Sequence, residues 1–203
     1  MWSFGFNDGF DVTYSMRELD GDLKKIEYVD TTYDQRSLGG GFPAGELGCG
    51  RAVKPEFVPT KVQWGGPKRG RVPETLQGRS MMLVNARCKD MIERFEPGLH
   101  QFLPLTLLWK DGTVAQDMYF FNICSRLDTV DRIATTAEFG SEIMWRPETG
   151  TIVFSPAQMG NHHIWIDKHI YYGWFVSDEL HDALVGAKIT GIGFRKWQTS
   201  GEQ

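Results

Sequence analysis

The stretch from Phe102 to Ile123 constrains the fold most: apolar residues alternate, a turn signal interrupts them, and an extended run returns. Leu103, Leu105, Leu107 and Trp109 share one face of a strand, because successive side chains point to opposite sides. Lys110-Asp111-Gly112-Thr113 then turns the chain, and Val114 to Ile123 comes back. An Asp-Gly pair flanked by such runs is a strong hairpin signal.

Other segments sort by period and punctuation. Residues 80–96 place Met81, Val84, Cys88, Met91, Ile92 and Phe95 at steps of three and four, which predicts an amphipathic helix capped by Ser80 and ended by Pro97-Gly98. A second hairpin is expected from Ile143-Met144-Trp145 through Pro147-Glu148-Thr149-Gly150 to Phe154. Ser177, followed by Asp178-Glu179, starts a short helix that Gly186 stops. Thr190-Gly191-Ile192-Gly193-Phe194 reads as a closing strand whose glycines permit close backbone approach.

Between the two ends of the chain lies a region of turns. Residues 34–52 hold six glycines and a proline, a long loop, and 53–74 hold four prolines, leaving room only for short extended pieces such as Lys61 to Trp64. The expected fold is α+β, mostly antiparallel sheet with a few helices, as a single domain or two small packed subdomains. An N-terminal β and loop region, 1–56, carries an acidic segment and the glycine-rich loop; an α+β region spans 57–203.

Composition bounds the function. At 203 residues the chain can bury enough surface for one core without disulfides or a structural metal. The net charge of −4 argues against a nucleic-acid coat. Cys49, Cys88 and Cys124 form no CxxC pair, which fits a reducing cytoplasm. No run of 18 apolar residues and no signal peptide is present, so neither export nor a membrane partner is expected. The charge is uneven: residues 1–33 carry seven acids against three bases, and 34–79 carry eight bases against four acids.

The densest chemical cluster runs from Asn161 to His169. On a strand, His163, Asp167 and His169 would share a face and could hold zinc or iron in a metal-dependent enzyme. Trp165 between them and Lys168 beside them argue against it, so neither metal nor cofactor is expected. The glycine-rich loop lacks the GK[ST] ending of a phosphate cradle and the strand and helix that would frame a dinucleotide fingerprint. There is no GxSxG elbow, and Cys88 lies on the apolar stripe of the helix. A carbohydrate- or peptide-binding module, resting on Trp2, Trp64 and Trp174 as exposed aromatics, is the other alternative.

Three stretches in order complete the reading: FVPTKVQW with GRVPETL and LVNARCKDMIERFEPGLHQFLP; LTLLWKDGTVAQDMYFFNICSRLDTVD; and HHIWIDKHIYYGWFVSDELHDALVGAKITGIGF. Together, over 57–194, they resemble the bacterial immunity proteins of polymorphic toxin systems classed as immunity family eleven. The matching residues are Glu93 to Pro97, Asp111-Gly112, Tyr119, Asn122, Asp128, Val176 to Leu180, Ala183-Leu184 and Thr190 to Phe194. The resemblance implies a non-enzymatic cytoplasmic protein that binds a cognate toxin domain with a basic active-site cleft and occludes it. The residues expected to touch that partner are the acids Glu18, Asp20 and Asp22 and the turn Trp145-Arg146.

Overall fold

The Asp111-Gly112 turn joins the two longest strands, Gln101–Leu108 and Val114–Asn122, in the antiparallel register expected, with one irregularity between Leu107 and Leu108. The computed structural model describes residues 1–6, 16–30, 48–68, 70–78, 81–141, 143–170 and 174–201. In chain order the elements are β1 (Trp2–Phe6), β2 (Met16–Glu18), β3 (Lys61–Trp64), β4 (Thr75–Gly78), β5 (Met81–Val84), α1 (Ala86–Phe95), β6 (Gln101–Leu108), β7 (Val114–Asn122) and β8 (Arg126–Leu127). Then follow β9 (Glu138–Phe139), β10 (Trp145–Arg146), β11 (Val153–Phe154), α2 (Pro156–Met159), β12 (Ile164–Asp167), β13 (Trp174–Val176), α3 (Asp178–Gly186), β14 (Ile192–Lys196) and β15 (Gln198–Thr199). The fold is α+β, as its sequence pattern indicates.

Two sheets carry the structure. The first has the order β2-β3-β6-β7-β5-β4, and the second β14-β1-β13-β12-β8. Most pairings are antiparallel; β3 with β6, β8 with β12 and β11 with β15 run parallel. Because strand side chains alternate, each sheet feeds two cores. Leu83, Leu105, Leu107, Met118 and Phe120 enter a core outside the first sheet. Met82, Val84 and Phe121 point the other way, into a central core shared with Cys88 and Ile92 of α1, Leu180 and Leu184 of α3, and Ile164 and Ile166 of β12. On the far side of the second sheet, Trp165 and Phe175 meet Val130, Phe154 and Ile152.

The expected helix over 80–96 divides in two. Residues 81–84 form β5, pairing with β4 and β7, and α1 starts at Ala86 with the Asn85 side chain accepting from Cys88 N at 3.0 Å. The reason is visible in MMLV: Leu83 goes to one core while Met82 and Val84 go to the other. A segment buried on both faces gains more from ladder pairing than from a one-sided helical stripe. The second expected hairpin does not form either. β10 pairs with β9, and β11 pairs with β15, because a short 3-10 turn at Pro147–Thr149 leads Gly150 against the backbone of Thr136 and Ala137.

The C-terminal elements fall as expected. Ser177 caps α3, accepting from Leu180 N at 3.2 Å. Gly191, at φ +88°, has the carbonyl of Thr75 where a Cβ would go, so no other residue fits there.

Candidate functional site

Two of the three acids expected to face a partner, Asp20 and Asp22, are engaged within the fold. Glu18 lies in β2 opposite Val62. Asp20 accepts from Thr60 N at 2.8 Å, the Thr60 hydroxyl at 2.5 Å and Lys61 N at 3.0 Å. Burial works against its ionisation, but these donors outweigh it and hold the carboxyl below its ordinary value. Asp22 caps a 3-10 turn at Leu23–Lys25 and lies 3.4 Å from Lys25. Further along, Glu27 pairs with Lys54 at 2.7 Å and Asp30 with Arg51 at 3.3 Å. The acidic and basic segments, separate in sequence, are therefore interleaved in space among the described residues. Between the acids, Leu19 and Phe57 remain partly exposed.

Trp145 and Arg146 belong to a different surface. Trp145 is buried, with the Phe139 ring 4.9 Å away and the Arg132 guanidinium over both rings at 5.9 and 5.0 Å. Around them stand apolar side chains open to solvent: Ile133 is 98% exposed, Phe139 40% and Ile143 40%. Ile143 also holds φ +63°, a conformation costly for a β-branched residue. Its carbonyl accepts from His169 Nδ1 at 2.8 Å, and His169 Nε2 faces Asp128 at 3.5 Å, which Arg132 reaches at 3.1 Å. Asp128 holds the His169 pKa above its ordinary value against the opposing effect of burial. Stability from a raised histidine pKa is full below about pH 6.5 and lost as pH rises through the raised value. Urea midpoints should therefore fall as pH rises above that point, and Asp128→Asn should abolish this part of the slope; an unchanged slope would overturn the assignment.

The histidine cluster does not form a metal centre. His163 Nδ1 lies 2.9 Å from the Ser177 hydroxyl, whereas His169 turns to Ile143 and Asp128. Asp167 is fully buried, accepting from the Thr129 N–H at 2.8 Å, its hydroxyl at 2.6 Å and His169 N at 2.8 Å. Burial nonetheless raises its pKa. The three face different neighbours, and among the described residues no group of three such side chains could hold a metal. The aromatic-module reading fares similarly: Trp64 is buried, Trp2 is stacked on His181 at 3.8 Å, and Trp174 packs by Phe4. Residues 39–47 of the glycine-rich loop lie outside the described residues.

What the sequence reading missed are buried polar hubs. Glu96, just past α1, accepts from His162 Nδ1 at 3.1 Å and His163 N at 3.0 Å on one oxygen. Its other oxygen accepts from His100 Nε2 at 2.7 Å and Ile164 N at 3.1 Å. Cys124 N donates to His100 Nδ1 at 3.1 Å, which fixes the tautomer that donates to Glu96. Burial opposes ionisation of Glu96, but its donors bring the pKa below the ordinary value. Ser125 Oγ, 3.5 Å from the same His162 Nδ1, completes no triad, because one nitrogen cannot relay a proton between hydroxyl and carboxylate. Glu74 likewise receives Thr190 N and hydroxyl together with Arg71 and Arg87. Asn122 binds Gly48 N at 3.0 Å, the Arg51 carbonyl at 2.7 Å and Gln101 Oε1 at 2.8 Å. For the Glu96 hub the advance signal was its place four residues before His100.

Of the residues matched to the immunity proteins, several have visible structural duties: Asn122 as a hub, Ser177 as a cap, Thr190-Gly191 as a clasp on Glu74 and Thr75. A profile of the Immunity protein family (Imm11) matches residues 16–199, from β2 to β15. The chain belongs to that immunity protein family. Membership implies a toxin-immunity role, non-enzymatic, with a protein toxin as partner. No curated protein matches the chain. Among the described residues no helix is long and apolar enough to cross a membrane.

Proposed function

We propose that this protein binds a cognate antibacterial toxin domain in the cytoplasm and neutralises it by covering its active site. The observation that carries this reading is the surface around Ile133, Phe139 and Ile143. Exposed apolar side chains stand beside Arg132, whose guanidinium lies over the Phe139 ring, with the acids Asp131, which accepts from Ile133 N, and Glu138, next to Phe139 in β9, close by. Apolar and aromatic anchors near arginine, ringed by polar groups, are the composition of an interface centre. These acids suit a toxin with a basic cleft, since opposite charge speeds encounter and fixes orientation. Glu18, Asp20 and Asp22, with Leu19 and Phe57 between them, offer a second face.

The test is co-expression with a candidate toxin domain, sought in the reading frames neighbouring this chain's gene, together with binding of the purified pair. Ile133 has almost no contact with the fold, so Ile133→Asp should leave unfolding unchanged while weakening binding about tenfold or more, close to 1.4 kcal/mol. Phe139→Ala should act in the same direction and reduce rescue. Full rescue and unchanged affinity in both would remove this surface from the proposal. Glu18→Lys, which spares the Asp20 lock, tests the second face.

A further inference from the structure

A cleft of about 470 Å³ lies apart from the Ile133 surface, lined by Val29, Asp30, Arg51, Cys124, Arg126 and Lys168 together with the small residues Gly50 and Ala52. It opens where the second sheet ends at β8 and the segment after the glycine-rich loop crosses it. Three cations and one carboxylate face the space, although the whole chain is acidic. The carboxylate, Asp30, is largely exposed and meets Arg51 at 3.3 Å. Asp167 lies behind the wall, turned toward Thr129 and His169. Arg126 is seated deliberately: its Nη1 donates to the Cys49 carbonyl at 2.9 Å, and Gly50, at φ +77°, packs so closely on its side chain that a Cβ would lie 2.6 Å from the Arg126 Cβ. Burial lowers the pKa of that guanidinium, a sign of a cation held partly out of water. Among the described residues no carboxylate lies within ion-pair distance of Lys168.

We propose that this cleft is a docking site for an acidic segment of the partner protein, with a carboxylate entering between Arg51, Arg126 and Lys168. It deepens the toxin-binding reading and rests on it. A partly desolvated guanidinium and a nearby ammonium attract a carboxylate more strongly than exposed bases do, because water screens them less. The cleft admits one or two side chains and not a duplex, and the net charge of −4 disfavours a polynucleotide over a short acidic peptide. The toxin is thus gripped at two chemically opposite places: its basic cleft by the acid-flanked apolar surface, and an acidic segment by this cleft.

The first probe is a fluorescein-labelled oligoglutamate, titrated by anisotropy at low and moderate salt. Binding that weakens with salt is expected, with Lys168→Glu losing about tenfold or more in affinity. Lys110→Glu, the same charge change in the exposed β6–β7 turn, should stay within about twofold. Lys168→Gln, which removes the charge without reversing it, guards against a folding defect, and urea midpoints check both variants. No binding at low salt, equal losses in the Lys168 and Lys110 variants, or stronger competition by a single-stranded oligonucleotide would each overturn the proposal. In cells, unimpaired rescue by Lys168→Glu alongside rescue by the wild type would also overturn it. Failure of the wild type itself to rescue would instead count against toxin binding, leaving the oligoglutamate result to stand separately.

Discussion

Replacing Glu96 with alanine is expected to lower the unfolding free energy by about 3–5 kcal/mol, a large share of the 5–15 kcal/mol typical of a domain. The side chain is nearly fully buried and receives four hydrogen bonds from two stretches of chain, His100 and His162 to Ile164. Its removal leaves two backbone N–H groups and two imidazoles without their acceptor, each costing more than the bond was worth in net terms. Glu96→Gln should recover only part of the loss. Both carboxylate oxygens accept from a backbone N–H, and an amide must place its NH2 against one of them. Urea unfolding gives the measurement, with the midpoint falling and the slope retained. A change below about 1 kcal/mol for the alanine variant would mean that water replaces the carboxylate at little cost. The pH dependence has its own sign: a carboxyl whose pKa is lowered on folding contributes above its unfolded value, near 4.5, and the contribution is lost as pH falls through the folded value.

Asn122→Ala should cost about 2–4 kcal/mol by a related route, since the buried Asn122 side chain holds three partly buried partners that lose their hydrogen bonds at once. The effect is also local. Asn122 holds Gly48 and Arg51, the two sides of the loop end that carries Cys49. Gln101, which Asn122 also binds, pairs with Val53 through both its amide oxygen and its amide nitrogen at 2.8 Å, as a strand would. Cys49 is 2% exposed, so its alkylation should accelerate sharply when Asn122 is removed, while Cys88 in the central core stays protected. Asn122→Asp should be at least as damaging, because the carboxylate cannot donate to the Arg51 carbonyl or to Gln101. Equal protection of Cys49 in wild type and variants would show that the loop end is held by other contacts, chiefly Arg126 on the Cys49 carbonyl.

The period of the apolar residues revealed what depends on one chain segment at a time. The 102–123 hairpin, β3, the Ser177-capped helix and the α+β class were legible because each rests on local alternation, a cap or a turn. β5 was not, since MMLV reads as one turn of a helical stripe until Tyr119 to Phe121 lie beside it. Nor was the pairing of β11 with β15, whose partners are separated by dozens of residues. The candidate sites were less legible still. Charge along 1–33 suggested an acidic face, but Arg51 and Lys54 pair with Asp30 and Glu27 and the Lys61 charge acts on Asp20, a cancellation that needs three dimensions to see. Trp145, named from the sequence as a contact residue, is buried, and Phe139, whose ring lies 4.9 Å from it, is partly exposed. Lys168, passed over as a neighbour of supposed metal ligands, lines the cationic cleft.

The second sheet places β1 between β13 and β14, so residues 2–6 are hydrogen-bonded to residues 192–196 along their whole length. During synthesis at roughly 5–20 residues per second, the opening strand waits tens of seconds before its partner leaves the ribosome. Until then one edge of β1 lacks its hydrogen-bonding partner. Chains rich in such distant pairings fold slowly once complete. The second sheet is therefore completed in a single late step, and a premature stop upstream of β14 leaves β1 without one of its two partners.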